Sequence, residues 1–269
     1  MPPLEFGYPD GIALGRDGSL YVVDTDNNAL RRISPTGEVL TVAGTSLTYP
    51  TGVALAPDGT LYVADAGSKV VWRLGAAGQR PEKLAGRGFI YPSAVAVAPD
   101  GTLYVADAGN ESGGTVQKIT LNGRVETIAT GLHKPTGLAV GPDGTVYVAE
   151  SNSNAIRKIT PAGLESLVLE STTLDQPHGL TLDANGTLYV ADTYHHRVLA
   201  VSPAGQVTTL ADGFSYPSGV AIDAEGTVFV TDTGHGTLKK ISHTGAVSAI
   251  SSPDAKASSG PTDPLSTKP

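Results

Sequence analysis

Six times along the chain a proline is followed, fifteen residues later, by an acid: Pro9 and Asp24, Pro50 and Asp65, Pro92 and Asp107, Pro135 and Glu150, Pro177 and Asp192, Pro217 and Asp232. The prolines recur every 40 to 43 residues, while the interval inside each copy never changes. A period in this range belongs to solenoids, propellers or arrays, in which one supersecondary unit is copied and stacked. Between the two marks lie two runs of alternating apolar residues joined by a glycine turn, as in "YPTGVALAPDGTLYVAD", which is the pattern of a hairpin. A third run such as "NALRRIS" and a fourth such as "EVLTVAG" complete four antiparallel strands, one propeller blade. The first run has the smallest side chains and suits the crowded axis; the fourth is the most polar and suits the outer edge.

The expected fold is therefore all-β, a six-bladed β-propeller of four-stranded antiparallel blades over residues 8–250. Residues 1–7 are a lead-in, with pairing of Leu4 to Phe6 onto the last blade left open. Residues 251–269, without periodicity or large apolar groups, read as a disordered tail or a linker.

Composition narrows the function. With no cysteine there are no disulfides, thiolate metal sites or cysteine nucleophiles. A net charge of -8 opposes a partner held by phosphate neutralisation, so nucleic acid is not expected. No apolar run approaches the roughly 18 residues of a membrane helix, so membrane insertion is not expected either. The chain is expected to be a soluble monomer, cytoplasmic as written or extracytoplasmic if a fragment, with the compartment undecided.

The motif P-x-G-[VL]-A-[VL]-x-x-x-G-T-[LV]-Y-V-A-D, with "ADTYHHRVLAVSPAGQ", resembles the NHL repeat. That resemblance implies a six-bladed ring and admits several functions: RNA binding, protein docking, the extracytoplasmic sensor domains of bacterial Ser/Thr kinases, and lyases. The "PHGL" at Pro177 to Leu180 resembles the segment in which peptide α-amidating lyases carry a zinc histidine, although those enzymes place three and this sequence has one. Gluconolactonase-type propellers are similar in blade number, and the resemblance implies Glu, Asn and Asp ligands at the channel.

One face of such a ring carries near-identical turns ("PDG", "ANG", "AEG"), built for backbone geometry. The copies differ on the other face. Just past each proline stand Asp10, Thr51, Ser93, Thr136, His178 and Ser218, expected to surround the mouth of a central channel, with a loop rim of Asp26, Asn110, Glu150, Tyr194, His195 and His235. The "DAGNESGG" loop, Asp107 to Gly114, is longer than its counterparts and is expected to rise over the mouth. The acid closing each second strand, present in every copy, is expected to hold backbone N–H groups rather than to react.

These features point to a binding module taking a peptide, protein or glycan ligand at the mouth, with no catalytic residue assigned and no cofactor required. The alternative is a metal-assisted lyase or hydrolase at the same mouth, lactonase-like or amidating-lyase-like, with His178 as ligand to a divalent metal.

Overall fold

Every repeat spends its smallest residues where the ring is tightest. In the computed structural model, which describes residues 4–75, 81–84, 88–110, 113–170 and 172–251, six sheets of four antiparallel strands follow one another along the chain. The inner strands are Pro9–Leu14, Pro50–Leu55, Pro92–Val97, Pro135–Val140, Pro177–Leu182 and Pro217–Ile222, and each packs against the inner strands of both neighbours. The glycine of the P-x-G motif explains how they approach so closely. A Cβ at Gly137 would stand 1.9 Å from the His178 carbonyl oxygen, and one at Gly179 would stand 2.2 Å from that of Ser218.

Each second strand is sandwiched on both faces. Its central valine, Val22, Val63, Val105, Val148, Val190 or Val230, has no exposed surface. The apolar clusters lie between blades, as where Val23 and Leu30 of blade 1 meet Val53, Leu61 and Trp72 of blade 2. Burial falls away outward, and the outermost strand of blade 1, Val39–Ala43, is largely exposed.

Blade 6 forms its own four strands, ending in the short Val247–Ala249, and the ring closes between Pro9–Leu14 and Pro217–Ile222. The lead-in seals this seam. Leu4 N donates to the Ile250 carbonyl at 3.1 Å and Phe6 N to that of Gly236 at 2.8 Å, while Leu4 packs with Ile12 and Leu238. The stretch expected as a tail lies, from residue 252 on, outside the described residues. Among the described residues no helix is long and apolar enough to cross a membrane.

The long loop of blade 3 takes a more regular form than expected. Its second and third strands, Leu103–Asn110 and Gly113–Ile119, run on as a hairpin in which Asn110 pairs with Gly113; residues 111 and 112 lie outside the described residues.

Candidate functional site

The six positions after the prolines do converge on the axis, where they line one narrow channel together with Ile12, Val53, Val95, Leu138, Leu180 and Val220. They divide by chemistry. Thr51 Oγ1 donates to the Pro92 carbonyl at 3.0 Å, Ser93 Oγ to Pro135 at 2.6 Å, Thr136 Oγ1 to Pro177 at 3.0 Å, and Ser218 Oγ to Pro9 at 3.3 Å. Four hydroxyls thus stitch each blade to the next.

Asp10 and His178 do not take part. In their blades the stitch passes to the residue after the second-strand acid: Thr25 Oγ1 donates to Pro50 at 2.9 Å and Thr193 Oγ1 to Pro217 at 2.8 Å. The two side chains released in this way meet each other. His178 Nδ1 stands 3.6 Å from Asp10 Oδ1, an ion-pair separation rather than a hydrogen bond, with 30% of the imidazole and 11% of the carboxylate side chain exposed. Burial pushes the Asp10 carboxyl above its ordinary range, while the His178 charge and a Ser218 hydrogen bond pull it back.

Above this pair lies a cavity of about 350 Å³, the size of a small-ligand site. Its wall is set by a second ring that sequence reasoning missed, the residue immediately before each proline. Four of these residues, Tyr8, Lys134, Gln176 and Tyr216, have φ of 57°, 53°, 46° and 52°. Left-handed backbone at bulky residues costs energy, and such strain gathers at functional sites. All four line the cavity with Asp10 and His178, whereas their counterparts Tyr49 and Tyr91 are not left-handed and do not. The Tyr8 hydroxyl is held above its usual range by burial and then by Asp10, which keeps it a proton donor. Desolvation of its hydroxyl, and then the nearby Tyr49 and Asp10, push Tyr91 up to about 12.

The rim residues disperse. Tyr194 lines the cavity, its ring edge-on to Tyr216 with centroids 5.2 Å apart. Asp26 is exposed and lines neither this cavity nor the channel. Glu150 is fully buried, accepting from His133 N at 2.9 Å and from Arg157 Nε at 2.6 Å, so it serves its blade as the equivalent acids do. His195 and His235 turn back to Asp192 and Asp232, with Nδ1 to Oδ2 distances of 2.9 and 2.8 Å. Asn110 belongs to a separate cavity of about 410 Å³ walled by the blade 3 hairpin, Tyr91, His133 and Asn152; Lys134 lines both cavities. A larger space, about 650 Å³, opens on the opposite face at the ring seam among turn residues, with no imidazole on its walls.

The donor set does not fit the metal centres implied by the lyase and lactonase resemblances. Of the six channel positions only Asp10 and His178 carry ligand-type side chains, and the other four hydroxyls are committed to neighbouring carbonyls. Among the described residues no three His, Asp or Glu side chains gather to hold an ion.

Fold and site together define an NHL-type six-bladed propeller with an acid–imidazole pair at its mouth. The virginiamycin B lyase family model matches residues 2–148, more than half of the sequence, and the chain belongs to that family. The SMP-30/gluconolactonase/LRE-like region matches residues 92–212 and the NHL repeat residues 214–241. No curated protein matches. Among solved structures, virginiamycin B lyase from Staphylococcus aureus is similar with a TM-score of 0.71 at 16% identity, over 93% of this chain and 87% of that one. A gluconolactonase from Xanthomonas campestris gives 0.79 at 20% identity, over 92% and 88%. A catalytically inactive histidine-to-alanine variant of the Staphylococcus aureus lyase, with quinupristin, gives 0.69 at 16%, over 94% and 89%.

Proposed function

We propose that this protein is an acid–base enzyme of the lyase type, acting at the propeller mouth with His178 as the proton-transferring group and Asp10 as its positioning partner. The observation that carries the reading is the pairing of His178 with Asp10 at the floor of a ligand-sized cavity, at the two inner positions released from stitching. Membership of a lyase family supports it, as does the loss of activity that accompanies loss of one histidine in the Staphylococcus aureus relative. A binding module without chemistry, the first expectation from sequence, has no comparable support.

The geometry supports the following chemistry. With Nδ1 turned to Asp10, the imidazole has Nε2 left for substrate, and an ionised Asp10 stabilises the imidazolium as it forms. His178 takes a proton from a carbon next to a carbonyl. The C–H electron pair becomes a double bond to the adjacent carbon, whose C–O bond breaks with its electrons passing to oxygen. The imidazolium then returns the proton to that oxygen, so nothing is consumed.

Product mass tests this directly. Wild-type protein incubated with quinupristin, gluconolactone and an oligouronate should convert at least one of them to a product carrying a new C=C bond, with no water added. A product heavier by one water would mean hydrolysis, and no turnover of any of the three would remove the support for an enzyme.

A further inference from the structure

The walls of the cavity say more than its floor. None of the side chains that line it is aliphatic: three tyrosine rings, Gln176 and the hydroxyls of Ser151, Thr193, Ser218 and Thr233, which donate to backbone carbonyls and keep acceptor capacity, surround Asp10, His178 and Lys134. An apolar ligand would find no aliphatic surface here. A ring compound rich in hydroxyls would find flat aromatic faces to stack on and hydrogen-bond partners on several sides.

Lys134 adds a charge. It is the one Lys or Arg on the wall of either cavity among the described residues. Most other cations of this face are taken, Arg31 by Asp24, Arg157 by Glu150, Arg197 by Asp192 and Lys239 by Asp232, and the exposed Lys69 lines neither cavity. Lys134 makes no ion pair among the described residues, yet its backbone is firmly held. Its carbonyl accepts from Ser151 N at 3.1 Å and Ser151 Oγ at 3.3 Å, and its left-handed φ aims the chain at this point. A fixed root and an uncommitted ammonium, in a protein of net charge -8, form a local exception that favours an anionic ligand group.

From the aliphatic-free wall and the unpaired Lys134 we infer that the substrate is a sugar acid, a uronate-type ring whose carboxylate docks on Lys134 while its hydroxyls meet Gln176 and the tyrosines. This rests on the acid–base reading of the same cavity and gives Lys134 a second task there. A cation on a carboxylate draws off charge and makes the proton on the neighbouring carbon easier for His178 to remove. The 410 Å³ cavity on the far side of Lys134 then takes the next residue of an oligosaccharide.

The test is equilibrium binding to the full chain, measured by calorimetry with D-glucuronate, its neutral methyl ester, and glucose 6-phosphate. Wild type should bind glucuronate about tenfold or more tighter than the ester, the scale of one charge-assisted hydrogen bond. Lys134→Met should erase that preference and Lys134→Arg should keep it. Lys134 is exposed, so an unchanged melting temperature will show that neither substitution acts through the fold. Equal affinity for acid and ester, a preference that survives Lys134→Met, no binding of glucuronate, or tighter binding of glucose 6-phosphate would each overturn the inference. Because the readout is binding, an absence of turnover that sinks the acid–base reading is recognised separately.

Discussion

Thr193 Oγ1 donates to the Pro217 carbonyl at 2.8 Å and so does for blade 5 what Thr136 Oγ1, donating to Pro177 at 3.0 Å, does for blade 4. In blade 5, where His178 holds the inner position, the turn hydroxyl makes this stitch without an inner one, whereas in blade 6 Ser218 and Thr233 both donate to the Pro9 carbonyl. Thr193→Val should leave the Pro217 carbonyl without its buried partner and cost about 1 to 2 kcal/mol. For a chain of this size that is a fall of about 2–4 °C in melting temperature per kcal/mol. Adding His178→Thr should recover part of the loss by restoring an inner hydroxyl. A double mutant as unstable as the sum of the singles would show that the two positions do not share the task.

The buried carboxyl of Asp10 predicts a pH dependence of definite sign. Its folded pKa is raised above the ordinary 3.8, so the native state binds the proton more tightly than the unfolded chain does. Stability associated with Asp10 is present at low pH and is lost as pH rises from about 4 through the folded pKa. Asp10→Asn, which removes the charge and keeps the shape, should therefore melt above wild type at pH 7, with the advantage vanishing near pH 3. A constant difference across that range would show that Asp10 does not carry a burial penalty.

Close packing at the axis predicts intolerance of a single methyl group. Gly179→Ala would bring a Cβ within 2.2 Å of the Ser218 carbonyl oxygen, backbone that cannot swing aside. The cost should reach or exceed the 1–3 kcal/mol typical of overpacking. Ala94 already occupies the equivalent place in blade 3, so Ala94→Gly should change stability by much less. Comparable melting temperatures for the two variants would contradict close approach as the reason for the motif glycine.

The ring was legible because its cause is local. The fixed interval from each proline to its acid sets the length of one hairpin, and six equal hairpins have one closed arrangement. The convergence of Asp10 and His178 on the axis was legible for the same reason, since both occupy the position after the proline. What decided the site was not local. "YP" reads identically at Tyr8 and Tyr49, yet Tyr8 alone of the two has left-handed backbone and lines the cavity. Likewise His178, His195 and His235 were all candidate site residues, at the channel mouth or its rim. Asp192 and Asp232 hold the latter two by short local bonds, whereas the partner of His178 comes from blade 1, across the closed ring. The residues before the prolines could have been singled out, because four of six are tyrosine, a large exposed group repeated where a turn asks only for small ones.

The most direct test of the central claim compares His178→Ala and Asp10→Asn with wild type on whichever of quinupristin, gluconolactone or oligouronate is turned over. With melting temperature confirming an intact ring, His178→Ala should lose about 10²- to 10⁴-fold in kcat/KM, the usual contribution of a positioned acid–base group. Asp10→Asn should lose less and shift the pH profile, as expected of a residue that acts through the imidazole. A His178→Ala protein that works at the wild-type rate would contradict the account.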